Sequence, residues 1–360
     1  MDALELGQRI VAILETGRRT ATYKFALLMS LVDYCVENLP AEDVPLSVPL
    51  EELGERVIAL YWRQVLPLAG IGELKQSSQP RVRILAAVSR LRESAYQART
   101  TSLDVARERV PNDYRRAVTN VVLTLVRQPL ARLQHLPGRE PGQTFLYDDS
   151  WMGEGVNQSK IDRHGAVVTL YPGVATNLAR LSGLLRPTLE LLWVEDVVRL
   201  NASLRNERID VASHLFGQER VGLARVRAAY FDEFGASCFY CGAKLDGASP
   251  IDHLLPWSRV GLDGLANLVP ACRPCNSSKS SALPVHRHVT RALDRDIAQL
   301  ARIGAEIGWP VQRERTVGAA RGLYLSAPQG TPLWESRSGY SVVDLRWAET
   351  PWLMEPVSHR

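Results

Sequence analysis

Four cysteines stand in two matched pairs, Cys238-Phe239-Tyr240-Cys241 and Cys272-Arg273-Pro274-Cys275, and the run Ile251-Asp252-His253-Leu254-Leu255-Pro256-Trp257 lies between them. Asn267 precedes the second pair, Asn276 follows its last cysteine directly, and Lys279 stands one helical turn further on. Two C-x-x-C knuckles can hold a zinc ion in a tetrahedron of thiolates with Zn–S bonds of about 2.3 Å. Asp252, His253, Asn267 and Asn276 are residue types suited to a second task, the metal-assisted attack of water on a phosphodiester. Carboxylate and amide oxygens hold a hard divalent ion, and an imidazole titrating near pH ~6.5 can take a proton at neutral pH.

Other cysteine chemistries fit less well. Disulfides belong to oxidising compartments. The chain has five cysteines and opens without the charged and apolar run of a secretory signal, so a reduced, cytoplasmic setting is expected. A thioredoxin-like redox site needs one C-x-x-C in a βαβ setting, and two pairs are present. Structural zinc on Cys238, Cys241, Cys272 and Cys275 is therefore expected, with Cys35 an ordinary buried thiol.

The enclosed segment reads as strand, loop, strand, helix. Pro250 opens a short apolar strand through Ile251, Leu254 and Leu255, and Gly261, Asp263 and Gly264 mark a loop. Residues 268–271 form a second strand, and Asn276-Ser277-Ser278-Lys279-Ser280 starts a helix. A unit of about 45 residues buries little core, so a metal cage would supply order that apolar contacts cannot.

Residues 238–281 resemble an HNH endonuclease domain, the ββα-metal nuclease fold with a four-cysteine zinc site. The resemblance rests on C-x-x-C, Asp-His, Pro-Trp, Asn-Leu-Val, C-x-x-C-Asn and Lys279. The spacings from His253 to Asn267 and from Asn267 to Asn276 are similar to those in the HNH domains of CRISPR effector nucleases. It implies that His253 is the general base and that Asp252 and Asn276 bind a catalytic Mg²⁺ or Mn²⁺. It also implies that Asn267 braces the loop and orients the histidine backbone. Lys279 could meet a phosphate near the helix N-terminus. Zinc would do no chemistry, and the products would carry a 5′ phosphate and a 3′ hydroxyl.

The remainder of the chain must position this segment and bring nucleic acid to it. Its 360 residues are 46% hydrophobic and 23% charged, ordinary for a globular protein of two or three domains. No apolar run suits a membrane span. A net charge of +4 is mild. It is concentrated, because residues 81–139 hold twelve arginines. Arg115 and Arg116, with Arg259 and Arg273 nearer the cysteines, are candidate DNA phosphate contacts. Exposed helix faces in an Arg-rich chain explain the same pattern.

Upstream, helices are expected over 20–38, 50–65, 81–99 and 111–133, with a linker over 70–80. Two of them could form a helix-turn-helix or be plain bundle elements. Strands are expected at 144–147 and 166–171, paired as a small hairpin, then a helix over 174–205 kinked at Pro187. Downstream, a helix ends near Ile307. Tyr324, Trp334, Tyr340 and Trp347 could cover the nuclease or stack on nucleic acid, with core packing the expected use, and His286 and His288 could be extra ligands but are expected to be solvated.

The resulting expectation is an α+β protein, mostly helical at its N-terminal side with a small hairpin, then a zinc-stapled ββα-metal (HNH) domain. Its parts are a helical region over 1–137, a hairpin and helix connector over 138–215, the nuclease over 216–285 and a cover over 286–360. The expected function is metal-dependent DNA cleavage in the cytoplasm, compatible with restriction or phage defence. A homodimer or a defence-system partner is compatible too. A zinc-stabilised nucleic-acid-binding protein without cleavage, or an RNA-directed nuclease, is the alternative.

Overall fold

The computed structural model describes residues 1–16, 21–68, 70–79, 82–136, 143–204, 210–216, 220–343 and 351–354. Trp347 and Arg139 lie outside the described residues. The chain divides into two compact units, Met1–Tyr34 with Pro40–Gln218, and Cys35–Leu39 with Glu219–Arg360.

The first unit begins with helices α1 (Ala3–Thr16) and α2 (Tyr23–Glu37), strand β1 (Leu46–Pro49) and helix α3 (Leu50–Gln64). Helices α4 (Arg83–Gln97), α5 (Leu103–Arg109), α6 (Pro111–Arg127), α7 (Pro129–Arg132) and α8 (Gln158–Arg163) follow. Strand β2 (Val167–Leu170) and helices α9 (Val174–Leu200) and α10 (Val211–Phe216) complete it. Helix α6 buries Tyr114, Ala117, Val118, Val121, Val122 and Leu125, an i, i+3, i+4 pattern, and packs on α3 and α4. The helix expected over 111–133 breaks at Gln128. Pro129 follows it, and a proline disfavours helical backbone in the residue before.

The expected hairpin is not formed. Strand β2 pairs antiparallel with β1, from Leu46 opposite Leu170 to Pro49 opposite Val167, and Tyr147 meets Leu170 only in a single bridge. Sequence reading missed β1 because four residues ending in proline show no alternation long enough to count. Deep in this unit Trp193 of α9 is fully buried and its indole N–H donates to Gln76 Oε1 at 2.8 Å. Thr22 donates to that amide oxygen at 3.0 Å and lies 2.6 Å from the Tyr61 hydroxyl, so the indole N–H, the two hydroxyls and the amide oxygen satisfy one another.

The second unit carries α11 (Arg220–Phe234), the antiparallel strands β3 (Ile251–His253) and β4 (Leu268–Pro270), and α12 (Arg273–Lys279). It continues with α13 (His286–Leu293), α14 (Ile297–Ile307), α15 (Arg313–Ser326), the hairpin β5 (Pro332–Ser336) and β6 (Gly339–Val342), and α16 (Pro351–Met354). One apolar cluster joins Val226 and Tyr230 of α11 to Ile251, Leu265, Leu268 and, from α14, Leu300 and Ile303. A second gathers Cys238, Leu245, Ala271, Cys275 and Trp334. Helix α15 meets the segment Cys35–Leu39 at near backbone contact. A Cβ at Gly322 would stand 1.8 Å from the Val36 carbonyl oxygen, and one at Gly318 2.2 Å from that of Glu37. Only glycine permits that approach. No helix among the described residues is long and apolar enough to cross a membrane.

Candidate metal centre and active site

The four sulfurs of Cys238, Cys241, Cys272 and Cys275 lie within 4.8 Å of one another. Cys241 Sγ and Cys272 Sγ are 3.8 Å apart and all four cysteines are free thiols. Bonds of about 2.3 Å in a tetrahedron separate ligand sulfurs by roughly 3.8 Å, so the cluster fits zinc. A disulfide would bring two sulfurs to about 2.05 Å. Burial pushes the Cys238 and Cys275 thiols up. Burial also raises Cys241, but the Ala243 amide and the neighbouring thiols outweigh it and bring that thiol down to about 7. The cage is backed by apolar packing from Trp334 of β5, which is fully buried and donates to Ser278 Oγ at 3.0 Å. His288 is not solvated as expected. It is buried, and its ring N–H bonds the Glu335 carbonyl at 2.9 Å, because β5 lies over it.

The first knuckle also reaches the polar centre. Tyr240, inside the C-x-x-C, donates its hydroxyl to Asp252 Oδ2 at 2.7 Å. Burial and the nearby Asp252 carboxylate hold the Tyr240 hydroxyl well above its usual range, so it stays a donor. Asp252, 7% exposed in the middle of β3, takes a second partner from α12. Lys279 Nζ lies 3.1 Å from Oδ2 and 3.3 Å from Oδ1, and donates to the His253 carbonyl at 2.8 Å. Lys279 is 0% exposed, so the expectation that it meets a phosphate is corrected. Burial pushes its ammonium below the usual lysine range, and Asp252 restores part of the loss.

His253 ends β3, 5% exposed, with its ring edge-on to Trp257. Its Nε2 lies 2.6 Å from Oδ1 of Asp263. Asp263 reads in sequence as a loop marker between glycines, and only its return toward His253 reveals it as a site residue. Two features hold that return. The Trp309 indole N–H donates to the Asp263 carbonyl at 2.7 Å, and Asn267 Nδ2 donates to the carbonyls of Leu255 at 3.1 Å and Leu262 at 3.0 Å. Asn267 Oδ1 also accepts from the Leu255 amide at 2.8 Å. Fully buried, Asn267 touches the loop rather than a substrate. Arg295 donates to the carbonyls of Ala266 at 2.7 Å and Leu268 at 2.9 Å, which sequence reading also missed.

Asn276 does not begin its helix. Helix α12 starts three residues earlier at Arg273, because Pro274 needs no N–H partner in a first turn. Asn276 is therefore one turn before Lys279 on the same face. It is half-buried and makes no side-chain hydrogen bond among the described residues. Arg273 is exposed, and Arg259 is half-buried with Nε donating to the Ser281 carbonyl at 3.2 Å. Arg115 and Arg116 belong to the other unit, exposed on the first turns of α6. Arg115 donates to Asn112 Oδ1 at 2.6 Å, and Arg116 pairs with Asp113 at 3.1 Å.

Residues 3–215, more than half of the chain, match a family model described as a domain of unknown function, DUF8808. The chain belongs to the DUF8808 family. Residues 238–282 of this DUF8808 protein match the HNH endonuclease family model, over the segment that holds the cage, the β3–β4 pair and α12. No curated protein and no solved structure matches this DUF8808 chain.

Proposed function

We propose that the chain is a metal-dependent endonuclease that hydrolyses DNA phosphodiester bonds at a site made of Asp252, His253 and Asn276. The observation that carries this reading is the 2.6 Å contact of His253 Nε2 with Asp263 Oδ1, inside a segment that matches the HNH family. A carboxylate only accepts, so Nε2 carries the proton of the neutral ring and Nδ1 the lone pair. The bond selects one tautomer and orients its basic nitrogen, as a general base for an attacking water requires. As the ring gains charge, Asp263 offsets it.

Asp252 and Asn276 are the residues that would hold one catalytic divalent ion. One carboxylate and one amide oxygen, with no sulfur, suit a hard ion such as Mg²⁺ or Mn²⁺. When bound, the ion would offset charge on the scissile phosphate and on the leaving 3′ oxygen. Because Lys279 balances the charge of Asp252, these two donors alone would hold an ion weakly, and a phosphate oxygen of the DNA would strengthen the site. Four thiolate ligands would leave zinc no open position, so its role would be to hold the scaffold.

Supercoiled plasmid incubated with Mg²⁺, Mn²⁺, Ni²⁺ or Zn²⁺, with and without EDTA, tests the reading. Ion-dependent conversion to nicked or linear DNA is expected. A second reading, zinc-stabilised nucleic-acid binding without cleavage, is favoured by the Lys279 and Tyr240 contacts that already occupy Asp252. DNA retained but never cut, with every ion, would establish it. RNA offered in parallel separates an RNA-directed nuclease, which would cut that substrate alone.

A further inference from the structure

Helix α9 leaves an apolar stripe in solvent. Leu184 is 71% and Leu191 60% exposed, and Pro187 and Thr188 between them are exposed too. At about 100° per residue these four positions share one face. The opposite face is filled, with Leu185, Leu189 and Trp193 buried and Arg186 held 2.5 Å from Asp33. Helix α1, packed beside α9, exposes Leu4 and Val11 at the same seven-residue interval. Single exposed leucines are ordinary, but a contiguous apolar stripe marks a contact surface.

Two charges bound the stripe. Arg180 and Glu195 are exposed, and among the described residues neither has an ion-pair or side-chain hydrogen-bond partner. Their placement is symmetric. Arg180 lies as far before the Pro187–Thr188 peptide as Glu195 lies after it, and the same holds for Leu184 and Leu191. Two copies of α9 packed antiparallel about a two-fold axis at that peptide set Leu184 against Leu191 of the other copy. They also set Arg180 against Glu195 of the other copy, twice per pair. A two-fold contact must be self-complementary, and this stripe is. Parallel packing would oppose Arg180 to Arg180 and Glu195 to Glu195.

We propose that α9 is a dimer contact whose occupant is α9 of a second copy of this chain, paired antiparallel about the Pro187–Thr188 peptide. The proposal stands apart from the nuclease reading, since it uses no residue of that site. A contact little longer than one helix face lies at the low end of specific interface sizes, so assembly is expected at micromolar concentrations.

Sedimentation of the full chain from about 1 to 200 μM tests it, a range that brackets the weak end of specific association. The wild type is expected to pass from 40.0 kDa to twice that mass. Leu184→Arg should hold it monomeric with unchanged circular dichroism. Arg180→Glu alone, or Glu195→Arg alone, turns both attractive pairs repulsive and should weaken the dimer about tenfold. Combining the two reversals should restore it, because each pair is then complementary again. A wild type that stays monomeric throughout, a dimer indifferent to Leu184→Arg, or a combined reversal as weak as either single one would each overturn the proposal.

Discussion

Lys279 Nζ lies 3.1 Å from Asp252 Oδ2 with no exposure to solvent, so a fixed ammonium already faces the carboxylate proposed to hold a divalent ion. Two charges this deep are costly unless paired and hydrogen-bonded. Tyr240 and the His253 carbonyl supply the further bonds. The arrangement joins the first zinc knuckle, β3 and α12 through one carboxylate. Folding of the cage and placement of Asp252 are therefore expected to be coupled.

Replacing Lys279 with Met removes one partner and leaves Asp252 buried and unpaired. A loss of about 3–5 kcal/mol in stability is expected from breaking such a pair. Millimolar Mg²⁺ or Mn²⁺ should return part of it, because a divalent ion can take the vacated position. Thermal unfolding with and without the ion checks this. A variant as stable as wild type, with no larger response to the ion, would contradict the assigned role.

Elemental analysis should find one zinc per chain, and Cys238→Ser or Cys275→Ser should give unstable protein. Structural zinc contributes on the order of 10 kcal/mol of apparent binding free energy. The pH dependence has a definite sign. Zinc needs thiolates, and burial raises Cys238 and Cys275 while Cys241 comes down to about 7. Protons therefore compete with the metal increasingly as pH falls, and chelator competition should show weaker retention at pH 6 than at pH 8. Zinc-free protein that is folded and active would refute the cage.

His253→Ala should lose cleavage by ~10²-fold or more, the contribution of a positioned general base, with folding and DNA binding kept. Asp263→Ala should lower the cleavage rate by roughly 10-fold or more, because the general base loses the carboxylate that fixes its tautomer and orientation. Because Asp263 acts through His253, adding Asp263→Ala to His253→Ala should cost little more. Single-turnover rates on plasmid DNA decide it. Full activity in His253→Ala, or additive losses in the double variant, would remove these roles.

If Arg115 and Arg116 contact DNA phosphates, replacing both with Ala should weaken binding alike on all sequences. The dependence on salt should flatten by one to two counterions, roughly 0.9 per lost contact. Their partners Asn112 and Asp113 are on the same exposed turn, so the substitutions should leave the fold intact. An unchanged slope in folded protein would leave Arg259 and Arg273 as the remaining candidates among these arginines.

The sequence by itself determined the cysteine cage and the order of Asp252, His253, Asn267 and Asn276, because metal chemistry demands particular residue types at short fixed spacings. It also determined the long helices, α3, α6 and α9 among them, whose apolar positions repeat over several turns. The tertiary structure alone decided which distant groups meet these. Asp263 looks like a turn residue, Tyr240 like a spacer and Lys279 like a surface cation until the β3–β4 pair and α12 bring them onto His253 and Asp252. The partner of β2 was likewise hidden, since it lies more than a hundred residues upstream in a four-residue strand. Local patterns record periodicity and ligand spacing. Long-range pairing depends on which buried charges and open hydrogen bonds find a partner when the chain closes, and no short window of residues encodes that.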